Sequence, residues 1–359
     1  MRVWQVIPNL AFGDGIGNHV LVTDKVLKKE GYETFIFAGK IDERISSKVA
    51  KTIDKMPKLD EDDIILYRLP SGNPLNMDFL SWKCKKVLVY HNITPPYFFE
   101  RYNPRLERSC RRGLQDVKRL SNSVDACIAV SEFNRDDLIE LGYPKEKIWT
   151  LTSRRIPLEN FNVIPDEKIF NMYQDDYTNI LFVGRVVPNK KHENIIRAFA
   201  YYKKYITPKA RLIFVGNTNA SVDYYAELKE YIQYLELEEV YFHGHVKMEE
   251  LVAIYKSAHV FLCLSEHEGF CVPLIEAMYF HLPVIAYKSS AIPETLAGSG
   301  VLLENNSPEY VAEAIDKIQN DLSFRNTVIE RQNERLKVFE TDTSEEELIQ
   351  CIKDIFEKI

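Results

Sequence analysis

No C-x-x-C pair occurs among the six cysteines of this 359-residue chain, Cys84, Cys110, Cys127, Cys263, Cys271 and Cys351. Several lie in apolar strand-like runs, where a free cysteine behaves as a small hydrophobe. They read as reduced core thiols in a reducing compartment. Missing too is any run of about 18 apolar residues, the length of a membrane-crossing helix. The start, MRVWQVIPNL, has no basic region ahead of a long apolar stretch, so no signal peptide is expected. Nor is there an excess of positive charge. Lys plus Arg number 46 against 53 Asp plus Glu, a net charge of -7. That balance argues against general nucleic-acid binding, which needs a basic surface. With 45% apolar and 28% charged residues, the composition is that of an ordinary globular protein. At about 150 residues per domain the length predicts two domains, each able to bury a core without disulfides or metal.

Short apolar runs alternate with helix-periodic segments along the chain. VWQVI (3–7), TFIFA (34–38), IILYRL (64–69), KVLVY (86–90) and ACIAVS (126–131) are the strand candidates of the first half. NILFVG (179–184), RLIFVG (211–216), VYFHG (240–244), VFLCLS (260–265) and PVIAY (283–287) are those of the second. Continuous apolar runs separated by helices imply parallel strands buried on both faces, and hence doubly wound α/β sheets. The polar stretch 157–179 reads as a linker. The expected organisation is an N-terminal domain, 1–165, and a C-terminal domain, 166–339, facing a cleft. A helix over about 340–359 carries Leu348, Ile349, Ile352, Ile355 and Phe356 on one side.

Four segments carry candidate chemistry. Gly13-Asp14-Gly15-Ile16-Gly17-Asn18 follows the first strand and precedes a helix. Glycines there admit close approach of a phosphate, and a helix N-terminus favours negative charge. The third glycine of a dinucleotide fingerprint is lacking, since Asn18 or Val20 stands in its place. His91 lies just past the end of a strand, where open α/β sheets bind ligands. Arg185 and Lys190, in GRVVPNK, put a planar fork and a point charge at another strand end, which suits a diphosphate. Finally, Ser265-Glu266-His267-Glu268-Gly269-Phe270-Cys271-Val272-Pro273 leads into a helix bearing Glu276. Glu268 and Glu276 can accept hydrogen bonds from sugar hydroxyls, and the backbone N–H groups around Phe270–Val272 can meet a phosphate, so Gly269, Phe270 and Cys271 are candidate donor-binding positions.

These segments resemble a retaining glycosyltransferase of family 4. The resemblance rests on G-R…P-x-K, on E-G-F-x-x-P-x-x-E-A-M with its E-x7-E spacing, and on Ile292-Pro293-Glu294. It is nearly continuous over about 179–320; in the first half it rests on the glycine turn, His91 and Val130-Ser131. Two departures stand out: Cys271 where the family usually has Gly, which argues against a left-handed backbone there, and Lys191 where Gly usually follows the Lys.

The resemblance implies the GT-B architecture of two Rossmann-like domains. By it, Arg185 and Lys190 hold the nucleotide diphosphate, Glu276 the ribose and Glu268 the donor sugar. His91 lies near the reacting carbon, Gly15, Ile16 and Gly17 meet the diphosphate, and the backbone about Val246 reads the base. The activity implied is transfer of a hexose from a nucleotide sugar, GDP-mannose or a UDP-hexose, to a glycan or lipid-linked acceptor in cell-surface polysaccharide synthesis. No D-x-D motif occurs at the expected cleft, so no metal or other cofactor is expected. A catalytically silent sugar-nucleotide-binding protein is the alternative. Two flanking carboxylates could also serve a glycoside hydrolase, but that leaves both cations without a role. Arg101, Arg105, Arg108, Arg111, Arg112, Lys118 and Arg119 cluster over 101–121 at helical spacings. Such a face suits anionic headgroups or a lipid-diphosphate acceptor, the alternative being a solvated face paired with Glu100, Glu107 and Asp116. The expected location is cytoplasmic, with peripheral contact on the inner face of the membrane under the first reading.

Overall fold

A computed structural model describes residues 2–151, 156–339 and 341–359. They divide into two compact units: Met1–Tyr97, Arg105–Pro157 and Val338–Ile359 form the first, Phe98–Pro104 and Leu158–Lys337 the second. The strands of the first unit are β1 (Arg2–Leu10), β2 (Glu33–Ile41), β3 (Lys51–Thr52), β4 (Ile64–Leu69), β5 (Lys85–Tyr90), β6 (Ala126–Ala129) and β7 (Ile148–Thr150). They pair in the order β3-β2-β1-β4-β5-β6-β7, parallel throughout. Every residue of β4 and β6 is buried, as expected of strands covered on both faces. The helices are α1 (Gly15–Lys29), α2 (Leu75–Ser81), α3 (Pro104–Leu120) and α4 (Glu132–Glu140).

The second unit contains β8 (Thr178–Val183), β9 (Ala210–Val215), β10 (Val240–Phe242), β11 (Val260–Cys263), β12 (Val284–Tyr287) and β13 (Val301–Leu303). Their order is β10-β9-β8-β11-β12-β13, again all parallel. Its helices are α5 (Glu167–Met172), α6 (His192–Tyr205), α7 (Val222–Tyr234), α8 (Met248–Ser257), α9 (Val272–Tyr279), α10 (Ile292–Leu296), α11 (Pro308–Asn320) and α12 (Leu322–Leu336). The last helix, α13 (Thr341–Lys358), belongs with the first unit. There Leu348, Cys351, Ile352 and Ile355 share a core with Val3, Leu66 and Val89.

The supposed linker 157–179 is structured. Asp166 caps α5 by accepting from the Ile169 N–H at 2.8 Å, and the Asp166 N–H donates to the Glu249 carbonyl at 2.9 Å. Its polarity reflects capping and half-burial, not freedom. The division between the units falls at Pro157/Leu158, against 165/166 from sequence, and residues 98–104 go with the second unit.

In each sheet the first strand has its successor on one side and a later strand on the other, so the connection reverses direction beside it. The reversal lies between β1 and β4, and between β8 and β11. In open α/β sheets, ligands bind at the carboxyl ends of the strands flanking such a point.

Candidate functional site

β8 ends at Val183 and passes directly into Gly184-Arg185. The Gly184 N–H donates to the Val215 carbonyl and the Gly216 N–H to the Gly244 carbonyl, both at 2.8 Å. Gly216 has φ 144°, and a Cβ there would lie 2.0 Å from the Gly184 carbonyl oxygen. Only glycine lets the two strand ends approach so closely. Arg185 is exposed and among the described residues has no ion-pair partner. Lys190 closes the single 3-10 turn Pro188–Lys190.

The loop after β11 brings the acidic partner. Its backbone is pinned from two sides. The Glu266 N–H donates to the Asn189 carbonyl at 2.9 Å, and the Asn189 side-chain amide to the His267 carbonyl at 3.0 Å. From the other side, Ser289 donates to the Ser265 carbonyl at 2.6 Å, and the Glu268 N–H donates to the Ser290 hydroxyl at 2.7 Å. Thr295 donates to the Phe270 carbonyl. Thus held, the buried Glu268 carboxylate lies 2.5 Å from Lys190 Nζ.

Cys271 corrects an expectation, and Lys191 shares its backbone. Each takes the left-handed backbone for which glycine is suited: φ 69° and ψ 65° at Cys271, the N-cap of α9, and φ 52° and ψ 47° at Lys191, the N-cap of α6. The tight entries into both helices require that conformation whatever the side chain. For an L-residue it costs about 1–2 kcal/mol. Lys191 Nζ offsets part of this with Glu266 at 3.3 Å and Glu193 at 3.6 Å.

Glu276 lies on α9, where its Oε2 accepts from the Tyr255 hydroxyl at 2.8 Å. Burial pushes its carboxyl up to about 7, against the opposing hydrogen bond from Tyr255. Burial also holds His267 down at about 4, with Glu268 acting the other way. Val246 is half-buried in the loop after β10. Gly244, with φ 69°, turns that loop, and His243 Nε2 lies 2.5 Å from the Tyr173 hydroxyl.

In the first unit, α1 begins at Gly15, inside the glycine turn expected to precede it. Asp14 is the N-cap and accepts from the Gly17 N–H at 2.5 Å. The Gly17 amide thus serves the cap. A Cβ at Gly17 would lie 2.4 Å from the Ala11 carbonyl oxygen, so its glycine serves close packing. Gly15 and Ile16 occupy the first helical positions, whose N–H groups have no intrahelical acceptor. His91, directly after β5, is buried, and its ring meets that of buried His19 edge-on at 5.5 Å. Ser131 caps α4 by accepting from the Asn134 N–H at 3.2 Å.

The second unit therefore brings Lys190 into contact with Glu268. It sets Arg185 at the end of β8 and Gly269, Phe270, Cys271 and Glu276 after β11, the strands that flank its reversal. His19, Asn189, Tyr255, Ser289 and Ser290 were missed from sequence. Asn189 was detectable as the neighbour of Lys190; the others are marked only by tertiary packing. The basic stretch is helical over Pro104–Leu120, so Arg101 falls outside it and pairs with Glu227 at 2.7 Å. Arg111 pairs with Glu107 and Arg112 with Asp116, while Arg105, Arg108, Lys118 and Arg119 are exposed on α3. No helix among the described residues is long and apolar enough to cross a membrane.

Comparison with known proteins follows the same division. Residues 165–335 match the family model described as Glycosyl transferases group 1, and 62–152 match Glycosyltransferase Family 4. The chain is 24% identical over 285 residues to the O-antigen chain mannosyltransferase B of Escherichia coli, covering 75% of this chain and 70% of that one. It is 29% identical over 215 residues to the capsular polysaccharide biosynthesis glycosyltransferase CapM of Staphylococcus aureus, covering 56% and 54% respectively. Anabaena HepE, solved in complex with UDP-glucose, superposes with a TM-score of 0.77 at 16% identity, covering 99% of this chain and 100% of that one. At such identity the likeness is one of fold, the GT-B arrangement of two parallel Rossmann-like sheets.

Proposed function

The chain belongs to the group 1 glycosyl transferases, and on that premise we propose that it transfers a hexose from a nucleoside-diphosphate sugar to a hydroxyl of a glycan or lipid-linked acceptor, with retention of anomeric configuration. The observation that carries the proposal is the pairing of Lys190 with Glu268 at the carboxyl ends of β8 and β11, with Arg185 on the same strand end as Lys190. Departure of a nucleoside diphosphate leaves negative charge on the phosphate oxygens while the sugar becomes cationic. Preorganised positive charge at those oxygens is usually the largest catalytic contribution. Arg185 and Lys190 are assigned to it. When the diphosphate arrives, Lys190 exchanges its carboxylate partner for phosphate, which frees Glu268 to accept from the sugar hydroxyls. Glu276 is assigned to the ribose and the backbone at Val246 to the base. In the first unit, His91 is assigned to the donor sugar and Gly15 and Ile16 to phosphate.

The names of the two curated relatives support a place in cell-surface polysaccharide synthesis, and the mannosyltransferase among them supports GDP-mannose as one donor. The UDP-glucose held by HepE keeps UDP-hexoses as the other. A thermal-shift screen across both donor classes decides between them, because a ligand at 100 times its Kd adds about 2.7 kcal/mol to stability. Turnover of the radiolabelled donor then tests transfer; binding without turnover would identify a binding protein instead. Arg185 and Lys190 supply the charge a metal would supply, so we propose a metal-independent reaction. Arg185→Ala should lose about 10²–10³ in rate while EDTA leaves wild-type activity intact. Activity abolished by EDTA and restored by manganese would overturn the assignment.

A further inference from the structure

The sulfurs of Cys263 and Cys271 and a carboxylate oxygen of Glu268 all lie within 4.8 Å of one another, and all three residues are buried. Cys263 ends β11 and Cys271 caps α9, so the seven intervening residues, 264–270, fold both thiols onto the carboxylate of Glu268. The transfer reaction has no use for either sulfur. A tetrahedral zinc ion takes thiolates at about 2.3 Å and carboxylate oxygen at about 2.0–2.2 Å, which places its ligand atoms roughly 3.5–3.8 Å apart. The trio needs only small side-chain adjustments to reach that spacing. Two soft sulfurs select a thiophilic ion over magnesium or calcium.

Charge favours the same occupant. Two thiolates and one carboxylate around a divalent ion sum to one negative charge, and Lys190 lies 2.5 Å from the carboxylate to balance it. The Cys263 thiol donates to the Ser265 hydroxyl at 3.4 Å, a proton that metal binding would displace.

We propose that Cys263, Cys271 and Glu268 form a binding site for a thiophilic divalent cation such as zinc or cadmium, and that its occupation withdraws Glu268 from the donor sugar. Binding replaces both thiol protons, which pass to solvent, with two metal–sulfur bonds and one metal–oxygen bond; no electron is transferred. The inhibitory half of the proposal rests on the transferase reading, the binding half does not.

Cadmium titration of the full-length, thiol-reduced protein tests it, read by the ultraviolet sulfur-to-cadmium charge-transfer band. The band should saturate at one equivalent and be lost in Cys263→Ser and in Cys271→Ser, but persist in Cys84→Ser, whose thiol lies on the other unit. No band at one equivalent, or a band that survives in the two site variants, would overturn the site. Should those variants fail to fold, X-ray absorption of the wild-type complex still decides: two sulfurs per cadmium support the site, and an all-nitrogen-and-oxygen shell overturns it. Loaded protein should then bind its donor at least tenfold more weakly, with EDTA restoring affinity; unchanged affinity would overturn the inhibitory half. Because the band is read with no nucleotide sugar present, it judges the metal site alone, whereas failure of every donor to bind metal-free protein judges the transferase reading alone.

Discussion

Two carboxylates eight residues apart have different surroundings, and they should fail differently. Glu276 on α9 is assigned to the ribose, which is unchanged by reaction, so Glu276→Gln removes uniform binding and raises KM. Glu268 is assigned to the donor sugar, where charge develops, so Glu268→Gln should lower kcat more than affinity. Calorimetry with nucleoside diphosphate alone separates them: weakened binding is expected for Glu276→Gln, and wild-type or tighter binding for Glu268→Gln, which leaves Lys190 free for phosphate. The reverse pattern would exchange the two roles. The Glu276 carboxyl, held at about 7 by burial, adds a pH signature. Its ionised form is the better acceptor, so diphosphate affinity should rise with pH through about 7 and binding should release a proton. Glu276→Gln should flatten that dependence. Lys191 offers a cleaner backbone test. Gly and Ala at 191 both delete its ion pairs, but only Gly relieves the left-handed strain at φ 52°. Lys191→Gly should therefore be more stable than Lys191→Ala by about 1 kcal/mol, measured by urea unfolding. Equal stabilities would show that the backbone carries no strain there.

Among the elements, α3 is the one whose surface is least explained by packing within its unit. Cys110, Gly113, Val117 and Leu120 fix it to the first unit, leaving Arg105, Arg108, Lys118 and Arg119 exposed on a chain of net charge -7. A predominantly electrostatic attachment to anionic lipid is expected. In flotation with anionic vesicles, binding should appear at low salt and fade as the Debye length falls below about 10 Å near 0.1 M. Replacing the four cations with Glu should abolish it without shifting Tm by more than a degree or two. Binding indifferent to salt, or absent, would refute the attachment. Much about the elements was legible beforehand. Strands such as VLVY in β5 and VFLC in β11 carry continuous apolar runs because both faces are covered, and α13 was visible from its one-sided apolar spacing. The two-residue β3 and the three-residue β7 and β13 carry no apolar run long enough to read as strands and are made by their neighbours' free edges, whereas β10, equally short, was legible from VYF.

For the whole molecule, stability depends on pH through groups of opposite sign. Burial holds His192 near about 3, far below its ordinary 6.5. Above 6.5 the ring is neutral whether folded or unfolded, so its contribution is fully present. As pH falls from 6.5 towards 3, the unfolded chain takes up a proton that the folded one refuses, at about 1.4 kcal/mol per pH unit. Glu276 runs the other way. Its carboxyl stays protonated when folded up to about 7, so stability is lost as pH rises from 4.5 to 7. Glu276→Gln removes that loss, and its stability relative to wild type should grow by about 3 kcal/mol across the interval. Denaturant unfolding at pH 4.5 and pH 7 measures it, and a constant difference would refute the buried carboxyl.

The residues by themselves determined the parallel α/β class, the strand ends that carry Arg185 and Glu268, and the family, because apolar periodicity and the E-x7-E spacing are local properties of the chain. Only the tertiary structure decided that 98–104 belongs with the second unit, that the Gly17 amide serves the Asp14 cap, and that Cys271 and Lys191 bend left-handed without glycine. The same holds for the contact of Lys190 with Glu268 and for the thiols of Cys263 and Cys271 beside that carboxylate. The cap and the two left-handed turns arise where the chain enters a helix; the other contacts depend on which distant segment arrives within a few ångströms, and that is set by the order in which strands join the sheet, which no local pattern encodes.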